Sequence, residues 1–260
     1  MNVLVCIKGV PSGSIPMEDT GILARDRAGS ELNPGDYYAL EAALQIAEET
    51  GGQVTALTMG PSSGEAILRT ALALGAKEGI LLSDPAFAGA DVYATAYTLS
   101  QEIRRIPDWD VILCGQQTTD GGTAQLPFSL AERLGIPAFG WVKKIEISED
   151  RLILSQELSE GTQQVEAGCP CLMAVGKEIG IPRSPSLRSQ LKARNQEIKV
   201  LALGALEDAD PDHYGLSGSH TRVTQVLTVK KEQKNPPLSL SGQEGAEKIL
   251  KLCREVTAHE

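Results

Sequence analysis

Four short apolar runs, separated by stretches of helical periodicity, constrain the fold of this chain more than any other feature. The runs cover residues 2–10, 53–60, 77–84 and 109–114. Continuous runs of this length, rich in Val, Leu and Ile, are typical of strands that are buried on both faces of a parallel sheet. Amphipathic helical patterns follow them at 35–51, 62–75, 91–106 and 122–135. This alternation predicts right-handed crossovers and an α/β fold with a doubly wound, mostly parallel, Rossmann-like sheet.

The sequence changes in character after Trp141. Residues 141–168 have the alternation and turn residues of a small β meander, and 170–176 return to a buried strand. The stretch 182–195 is basic and rich in Pro and Ser, and 204–223 show little apolar periodicity. We therefore do not expect the C-terminal part of the chain to build a core of its own.

A last amphipathic helix is predicted over residues 241–258. Its apolar side chains Ile249, Leu250, Leu252 and Val256 lie on one side and need a surface to cover them. The predicted organisation is an α/β domain over 1–182 that includes the meander over 141–168, a basic stretch over 183–195, and a C-terminal arm and helix over 196–260.

Charge and composition exclude several classes of function. The 260 residues include 34 acidic and 24 basic side chains, for a net charge of -10. Sequence-independent attraction to nucleic acid or to an anionic membrane is therefore not expected. No run approaches eighteen apolar residues, and the first residues lack the pattern of a signal peptide, so we expect a cytoplasmic protein without membrane insertion.

The residues that most often carry catalysis or bind metals do not cluster in this sequence. The closest cysteines, Cys169 and Cys171, are spaced C-x-C without a matching second pair, which favours two thiols on a buried strand over a metal site. The three histidines, His213, His220 and His259, have no nucleophile elbow or carboxylate cluster near them. We predict no metal and no catalytic side chain.

A polar loop of a dozen residues follows the fourth apolar run. It reads CGQQTTDGGTAQ over 114–125 and contains three glycines and one charged residue, Asp120. An ordinary βα loop capped by Asp120 would fit this composition, but such loops usually need two to six residues, and longer ones tend to be functional. Ligands of open parallel sheets bind beyond the carboxyl ends of the strands, where backbone amides approach phosphate groups.

The loop therefore suggests an anion cradle. Backbone amides and a hydroxyl would come from Gly121, Gly122, Thr123 and Ala124, and polar edges of a ligand could bond Gln116, Gln117 and Gln125. Lys8, at the end of the first run, could reach a phosphate, although a lone lysine at a strand end is more often solvated.

Seven segments in order resemble the β (small) subunit of electron transfer flavoprotein. They are VLVCIKGVP at 3–11, LNPGDYYALEAAL at 32–44, TMGP at 58–61, RTALALGAKEGILL at 69–82, the 114–125 loop, PCLMAV at 170–175 and PRSPSLRSQLKARN at 182–195. The resemblance implies a heterodimer with a larger, FAD-carrying α subunit, on which the C-terminal helix would pack. It also implies an adenine nucleotide at the carboxyl edge of this chain's own sheet.

Carried over by motif, the resemblance implies a set of cofactor contacts. They are Cys6, Lys8, Asn33, Pro34, Gly35, Asp36, Met59, Gly60, Ala90, Asp91, Thr95, Cys114, Gly115, Gln116, Gln117, Thr118, Thr119, Asp120, Gly121, Gly122, Thr123, Ala124 and Gln125.

Two versions of the family differ in this nucleotide. Conventional members hold AMP as a structural ligand, whereas bifurcating members hold a second FAD that exchanges electrons with NAD(H), ferredoxin and a partner flavin dehydrogenase of the acyl-CoA, caffeyl-CoA or lactate type. The segments 83–99, 120–125 and 215–223 are similar to the bifurcating group and imply FAD. An ATP-sensing, universal-stress-like homodimer is a further alternative, which the uncovered helix and the basic stretch disfavour.

The basic stretch is similar to the family's recognition loop. The resemblance implies that Leu187 is an apolar anchor that docks into the dehydrogenase, with Arg188 beside it. We expect Arg183, Arg188, Lys192 and Arg194 to steer an acidic partner surface.

Overall fold

A nine-stranded sheet organises the chain in the computed structural model, which describes residues 1–12, 30–148, 151–224 and 239–257. The chain divides into two units, Met1–Thr224 and Gln225–Glu260, and the sheet belongs to the first. Its strand order is β11-β5-β4-β1-β6-β10-β7-β8-β9. The strands are β1 (Val3–Cys6), β4 (Val54–Met59), β5 (Glu78–Leu82), β6 (Val111–Gly115), β7 (Ala138–Ser148), β8 (Arg151–Leu158), β9 (Gly161–Gly168), β10 (Cys171–Val175) and β11 (Lys199–Leu201).

Parallel pairing runs from β11 through to β7, and antiparallel pairing joins β7 to β8 and β8 to β9. A separate antiparallel pair forms from β2 (Gly9–Pro11) and β3 (Ser30–Leu32). The mostly parallel α/β fold is confirmed.

Helices cover both faces of the sheet. The helices of this unit are α1 (Pro34–Thr50), α2 (Glu65–Leu74), α3 (Val92–Ile103), α4 (Leu126–Leu134) and α5 (Leu187–Arg194). The alternation of side chains along each strand divides the core into two layers: Val3 and Val5 pack with α1 and α2, whereas Leu4 and Cys6 pack with α3 and α4. The central strands are therefore apolar on both faces, as their continuous apolar runs predict.

The order of the strands reverses at β1. The chain builds β4 and then β5 on one side of β1, and α3 carries it back to β6 on the other side. In open parallel sheets this reversal leaves a crevice above the carboxyl ends of the two adjacent strands, where ligands bind. Here the crevice lies above Cys6, at the end of β1, and Gly115, at the end of β6.

The basic stretch after residue 182 contains a helix that the loop interpretation does not anticipate. Ser186 accepts a hydrogen bond from the Ser189 amide and caps α5, which packs on α2. Arg69 of α2 donates to the carbonyl oxygens of Ala193 and Gln196 and so holds the C-terminal end of α5. The basic stretch is thus a short, anchored helix rather than a loop.

The tail after α5 packs on the core of the sheet. Tyr214 is fully buried against Phe87, and its hydroxyl donates to the Asp208 carbonyl oxygen at 2.5 Å. The sequence does not reveal this contact, because a single buried aromatic side chain leaves no apolar periodicity.

The second unit contains α6 (Gly242–Thr257). Its side chains Ile249, Leu250 and Leu252 are 63%, 57% and 52% exposed. Among the described residues, no helix is long and apolar enough to cross a membrane.

Candidate functional site

A buried polar hub joins three elements at the crevice. Asp36, in the first turn of α1, accepts the Lys8 amide at 2.7 Å and the Asn33 side-chain amide at 3.0 Å. Asn33 also donates to the Gln117 carbonyl oxygen at 3.1 Å and accepts the Thr119 amide at 3.2 Å. Asn33 and Asp36 are both buried. The hub therefore fixes the end of β1, the start of α1 and the polar loop after β6 relative to one another.

Two glycines permit the close approach of these elements. A Cβ on Gly115 would lie 2.9 Å from the Gly35 carbonyl carbon and inside contact distance of the Asp36 carboxylate. A Cβ on Gly35 would lie 3.0 Å from the Gln117 carbonyl oxygen. Pro34 occupies the first turn of α1, where its missing N–H costs nothing. Burial raises the pKa of Asp36 to about 7, against the lowering effect of hydrogen bonds from Asn33, Lys8 and Gly115.

Lys8 forms an ion pair with the loop. Its ammonium contacts both carboxylate oxygens of Asp120 at 2.8 Å, and Asp120 also accepts the Gly121 amide at 2.7 Å. Burial opposes ionisation of Asp120, but the hydrogen bond and charge of Lys8 outweigh it and hold the pKa of that carboxyl below its usual value. The Lys8 side chain is 42% exposed, so its charge also remains open to the crevice.

The end of the loop carries left-handed backbone conformations. Gly122 has φ +59°, and Ala124, which pays a steric cost there, has φ +54°. Gln125 is helical, and α4 starts at Leu126 without a side-chain cap. A left-handed residue followed by a right-handed one turns successive amides toward one concavity, which suits an anion. This conformation occurs at Ala124 and Gln125. The expectation that Gly121 and Gly122 offer free amides is wrong, because these amides donate within the loop, to Asp120 Oδ1 at 2.7 Å and to the Thr118 carbonyl oxygen at 2.9 Å.

Gln116 connects the loop to β7 and β10. Its backbone amide donates to the Val175 carbonyl oxygen at 3.0 Å, and its side-chain Oε1 accepts a hydrogen bond from the Trp141 backbone amide at 2.7 Å. Gln116 is buried, and its Nε2 has no hydrogen-bond partner among the described residues. Trp141 has φ +53° and is 51% exposed. Trp141 was not among the predicted site residues. The sequence feature that could have indicated it is a tryptophan directly after Gly140, at the start of the meander.

The floor of the crevice is formed by strand ends. Cys6 and Cys114 are in register on β1 and β6, and both are buried. The hydrogen bond of its thiol to Cys6, together with burial, raises the pKa of Cys114 well above its usual value, so Cys114 stays a neutral thiol. Met59 ends β4, and the Gly60 amide donates to the Leu82 carbonyl oxygen at 3.0 Å.

A second cluster lies at the end of β5. Asp91 caps α3 through the Ala94 amide at 3.0 Å and accepts the amide and hydroxyl of Thr221 at 2.8 and 2.9 Å. Its own amide donates to the Ser219 hydroxyl at 2.8 Å. Burial raises its pKa, but the hydrogen bonds from Ala94 and Thr221 outweigh this and lower it. The structure thus joins two of the segments whose sequences are similar to the bifurcating group, 83–99 and 215–223.

Ala90 and Thr95 flank Asp91 in this cluster. Among the described residues, no hydrogen bond links them to the 114–125 loop.

The residues expected to dock a partner, Leu187 and Arg188, lie on α5, apart from the crevice. Leu187 and Leu191 are 73% and 52% exposed, one helical turn apart, and Arg188 is also exposed. Arg183, in contrast, is bound within the chain: its guanidinium contacts Glu41 at 2.9 Å and Glu48 at 2.5 Å, both on α1. Its expected steering role is therefore corrected to an internal ion pair.

The cysteines near β10 also differ from expectation. Cys171 is buried in the strand, but Cys169 precedes it and is exposed. The expectation of two buried thiols is therefore confirmed for Cys171 and wrong for Cys169. In the described part of the chain, no group of three or more His, Cys, Asp or Glu side chains is arranged to hold a metal ion.

Comparisons with known proteins agree with this geometry. The family model described as "Electron transfer flavoprotein domain" matches residues 20–206. The chain is 43% identical over 236 residues to "Electron transfer flavoprotein subunit beta" of Thermoanaerobacterium thermosaccharolyticum, covering 90% of each chain. It is 38% identical to "Caffeyl-CoA reductase-Etf complex subunit CarD" of Acetobacterium woodii, covering 86% of each. It is also 37% identical to "Protein FixA" of Azorhizobium caulinodans, covering 87% of this chain and 84% of the relative. The chain therefore belongs to the electron transfer flavoprotein family, as a β subunit that serves in electron transfer.

Proposed function

We propose that this β subunit binds FAD at the carboxyl edge of its sheet and passes electrons between NAD(H), ferredoxin and a partner flavin dehydrogenase by bifurcation or confurcation. The observation that carries the proposal is the polar loop after β6, which is held over the β1–β6 crevice by Asn33 and Asp36. A loop fixed in this way presents its amides before a ligand arrives, so little ordering is needed on binding.

The residues present fit a pyrophosphate. Gly121 has no side chain and lies beside the Lys8 ammonium, 4.0 Å from where its Cβ would be. The left-handed backbone at Ala124 and the uncapped start of α4 supply N–H donors. Lys8 supplies positive charge while its pairing with Asp120 keeps it in place. These groups would bind and orient the phosphates.

The second cluster supports a dinucleotide rather than a mononucleotide. The end of β5 lies three strands from β6, which corresponds to about 14 Å at the usual spacing of neighbouring strands. A ligand that reached from the loop cradle to Asp91 and Thr95 would need an extended shape. The contact of Thr221 with Asp91 would close the far end of such a site and exclude water there.

Bound flavin would supply the redox chemistry, and the chain's own residues would position it. Buried thiols at Cys6 and Cys114 give the crevice an apolar floor, and the fixed amides of the loop contribute dipoles without adding charge. No acid or base from this chain is needed for that role.

The proposed partners follow from two exposed surfaces. The apolar side of α6, with Ile249, Leu250 and Leu252, would pack on the α subunit of the heterodimer. Helix α5, with Leu187 and Leu191 between basic side chains, would dock into a dehydrogenase of the acyl-CoA, caffeyl-CoA or lactate type. The relative from Acetobacterium woodii is named as a subunit of a caffeyl-CoA reductase complex, and this name supports the proposed class of partner.

The second candidate is a conventional electron carrier with AMP in the same site. The same cradle would hold its single phosphate, and the Asp91 cluster would then have only a structural role. The ATP-sensing homodimer is set aside, because the chain belongs to a different family.

Anaerobic mixing of the purified α/β complex with NADH tests the proposal. Loss of the oxidised flavin absorbance on mixing, with reoxidation by ferredoxin and an acyl-CoA dehydrogenase together, is the expected result. A complex whose flavin stays oxidised in NADH, but is reduced by the dehydrogenase, would contradict the bifurcating version and favour the conventional carrier.

A further inference from the structure

The position of Trp141 relative to the crevice is fixed by strand register. Val142 pairs with Val175 of β10, and Val175 pairs with Gly115 of β6. Trp141 therefore lies level with the carboxyl ends of the central strands, at the edge where the loop after β6 begins. The other tryptophan of the chain, Trp109, precedes β6 and so lies at the opposite edge of the sheet.

The backbone of Trp141 is held in an unfavourable conformation. A left-handed φ of +53° is sterically unfavourable for an L-residue. The conformation is maintained by the hydrogen bond of its amide to Gln116 Oε1, while Gln116 is itself bonded to Val175. Strain of this kind persists where surrounding structure over-determines it, and it concentrates at ligand sites.

Gln116 supplies an independent indication of a ligand. Because its Oε1 must accept the Trp141 amide, the orientation of the carboxamide is settled, and Nε2 is the end without an acceptor. The residue is only 4% exposed. An unpaired buried donor is unfavourable, and a carbonyl oxygen or ring nitrogen of a ligand would satisfy it after a small shift of the side chain.

The side chain of Trp141 is open, and a second aromatic residue lies close by. The indole is 51% exposed, and Phe128, in the first turn of α4, is 42% exposed. Phe128 packs against Gly140, where a Cβ would lie 2.6 Å from its Cζ. Two exposed aromatic residues thus lie near the start of α4, where the polar loop ends. Exposed aromatic faces offer stacking surfaces for planar rings.

We propose that Trp141 is the stacking surface for a planar heteroaromatic ring of the nucleotide at this edge, held in place by Gln116. The proposal rests on the proposed function, since it assumes a nucleotide in the crevice, but it holds for either the adenine or the isoalloxazine ring. Trp141 thereby sets affinity for the ring, whereas the loop sets affinity for the phosphates.

The test compares nucleotide-stripped α/β complexes that carry wild-type β, Trp141→Gly or Trp141→Phe. Glycine removes the indole but accepts the left-handed φ, so folding should be preserved; a melting temperature close to that of the wild type checks this. Trp109→Phe is the matched control, because that indole donates to the Ile103 carbonyl oxygen away from the edge. Dissociation constants are measured for FAD, AMP and FMN.

Trp141→Gly should weaken binding of the stacked ligand about 10-fold, and Trp141→Phe should recover most of the affinity. A loss for AMP assigns adenine, and a loss for FMN assigns the isoalloxazine ring. Wild-type affinity of Trp141→Gly for all three ligands would overturn the inference. The amount of FAD in the wild-type complex as purified tests the proposed function separately, since it does not depend on this substitution.

A second readout is the tryptophan emission that is lost in Trp141→Phe. This difference signal should be quenched when the stripped wild-type complex is saturated with the stacked nucleotide. An unchanged difference signal at saturation would also overturn the inference, because stacking on an indole cannot leave its emission unaffected.

Discussion

The amide of Lys8 donates to the carboxylate of Asp36 at 2.7 Å, and this bond joins the end of the first strand to the first turn of the first long helix. The two residues are 28 positions apart in sequence. Asp36 also receives the Asn33 side chain, which reaches across to Gln117 in the loop after β6. One buried carboxylate therefore sets the geometry of the crevice before any ligand is present.

Asp36→Asn tests the ionisation of this carboxylate. Its pKa in the folded state, about 7, lies above the ordinary 3.8, so its contribution to folding is fully present below about pH 4 and is lost as pH rises through 7. The wild-type complex should therefore lose stability relative to Asp36→Asn between about pH 4 and 7, by up to about 1.4 kcal/mol per pH unit, and should lose no more above that range. Denaturant unfolding at several pH values measures the difference, and parallel pH profiles would contradict a raised pKa.

Gly115→Ala tests the close approach at the hub. The added Cβ would collide with Asp36 and the Gly35 backbone, neither of which can move without breaking the hub. We expect a loss of roughly 1–3 kcal/mol in unfolding free energy and loss of bound nucleotide. Gly168→Ala is the control, since a Cβ there meets nothing within 4 Å. Equal unfolding free energies of the two variants would show that Gly115 does not lie close to Gly35 and Asp36.

Lys8→Met tests the charge in the crevice. Removal of the ammonium leaves Asp120 buried without its partner and removes a cation from the cradle. Nucleotide affinity should fall about 10-fold or more, and its dependence on salt should weaken. Lys143→Met, which breaks an exposed ion pair with Glu157 on the meander, should leave affinity unchanged. A similar loss in both variants would point to a general effect of charge instead.

Glu48→Gln distinguishes two roles for Arg183. If Arg183 positions the docking helix, loss of its contact with Glu48 should speed hydrogen exchange in α5 and weaken docking to a dehydrogenase. If Arg183 steered the partner directly, its release from Glu48 would strengthen docking. Arg188→Gln is the matched control, because it should reduce docking without a change in exchange. Exchange is measured by mass spectrometry on the peptide that contains α5.

The central sheet and its helices are encoded locally, which is why they could be predicted. Val3 and Val5 face one apolar layer and Leu4 and Cys6 face the other, and Gly51 and Gly75 end α1 and α2 where expected. The loop after β6 is also visible in sequence, because its length and its glycines exceed what a structural connection needs.

The interactions that were missed depend on residues far apart in the chain. Arg183 meets Glu41 across 142 positions, and Trp141 meets Gln116 across 25, so neither contact leaves a periodic signal. Helix α5 is short and polar, and only Ser186 at its start gave a capping signal. The residues of the hub were named through family resemblance; the reason that Gly35 and Gly115 must lack side chains required the structure.

The nucleotide content of the α/β complex tests the central claim most directly. The complex is denatured, and FAD and AMP are quantified by chromatography per heterodimer. We predict two FAD, one of which is lost when Lys8→Met or Gly115→Ala is introduced into this chain. One FAD with one AMP would contradict the claim that this crevice holds a flavin dinucleotide.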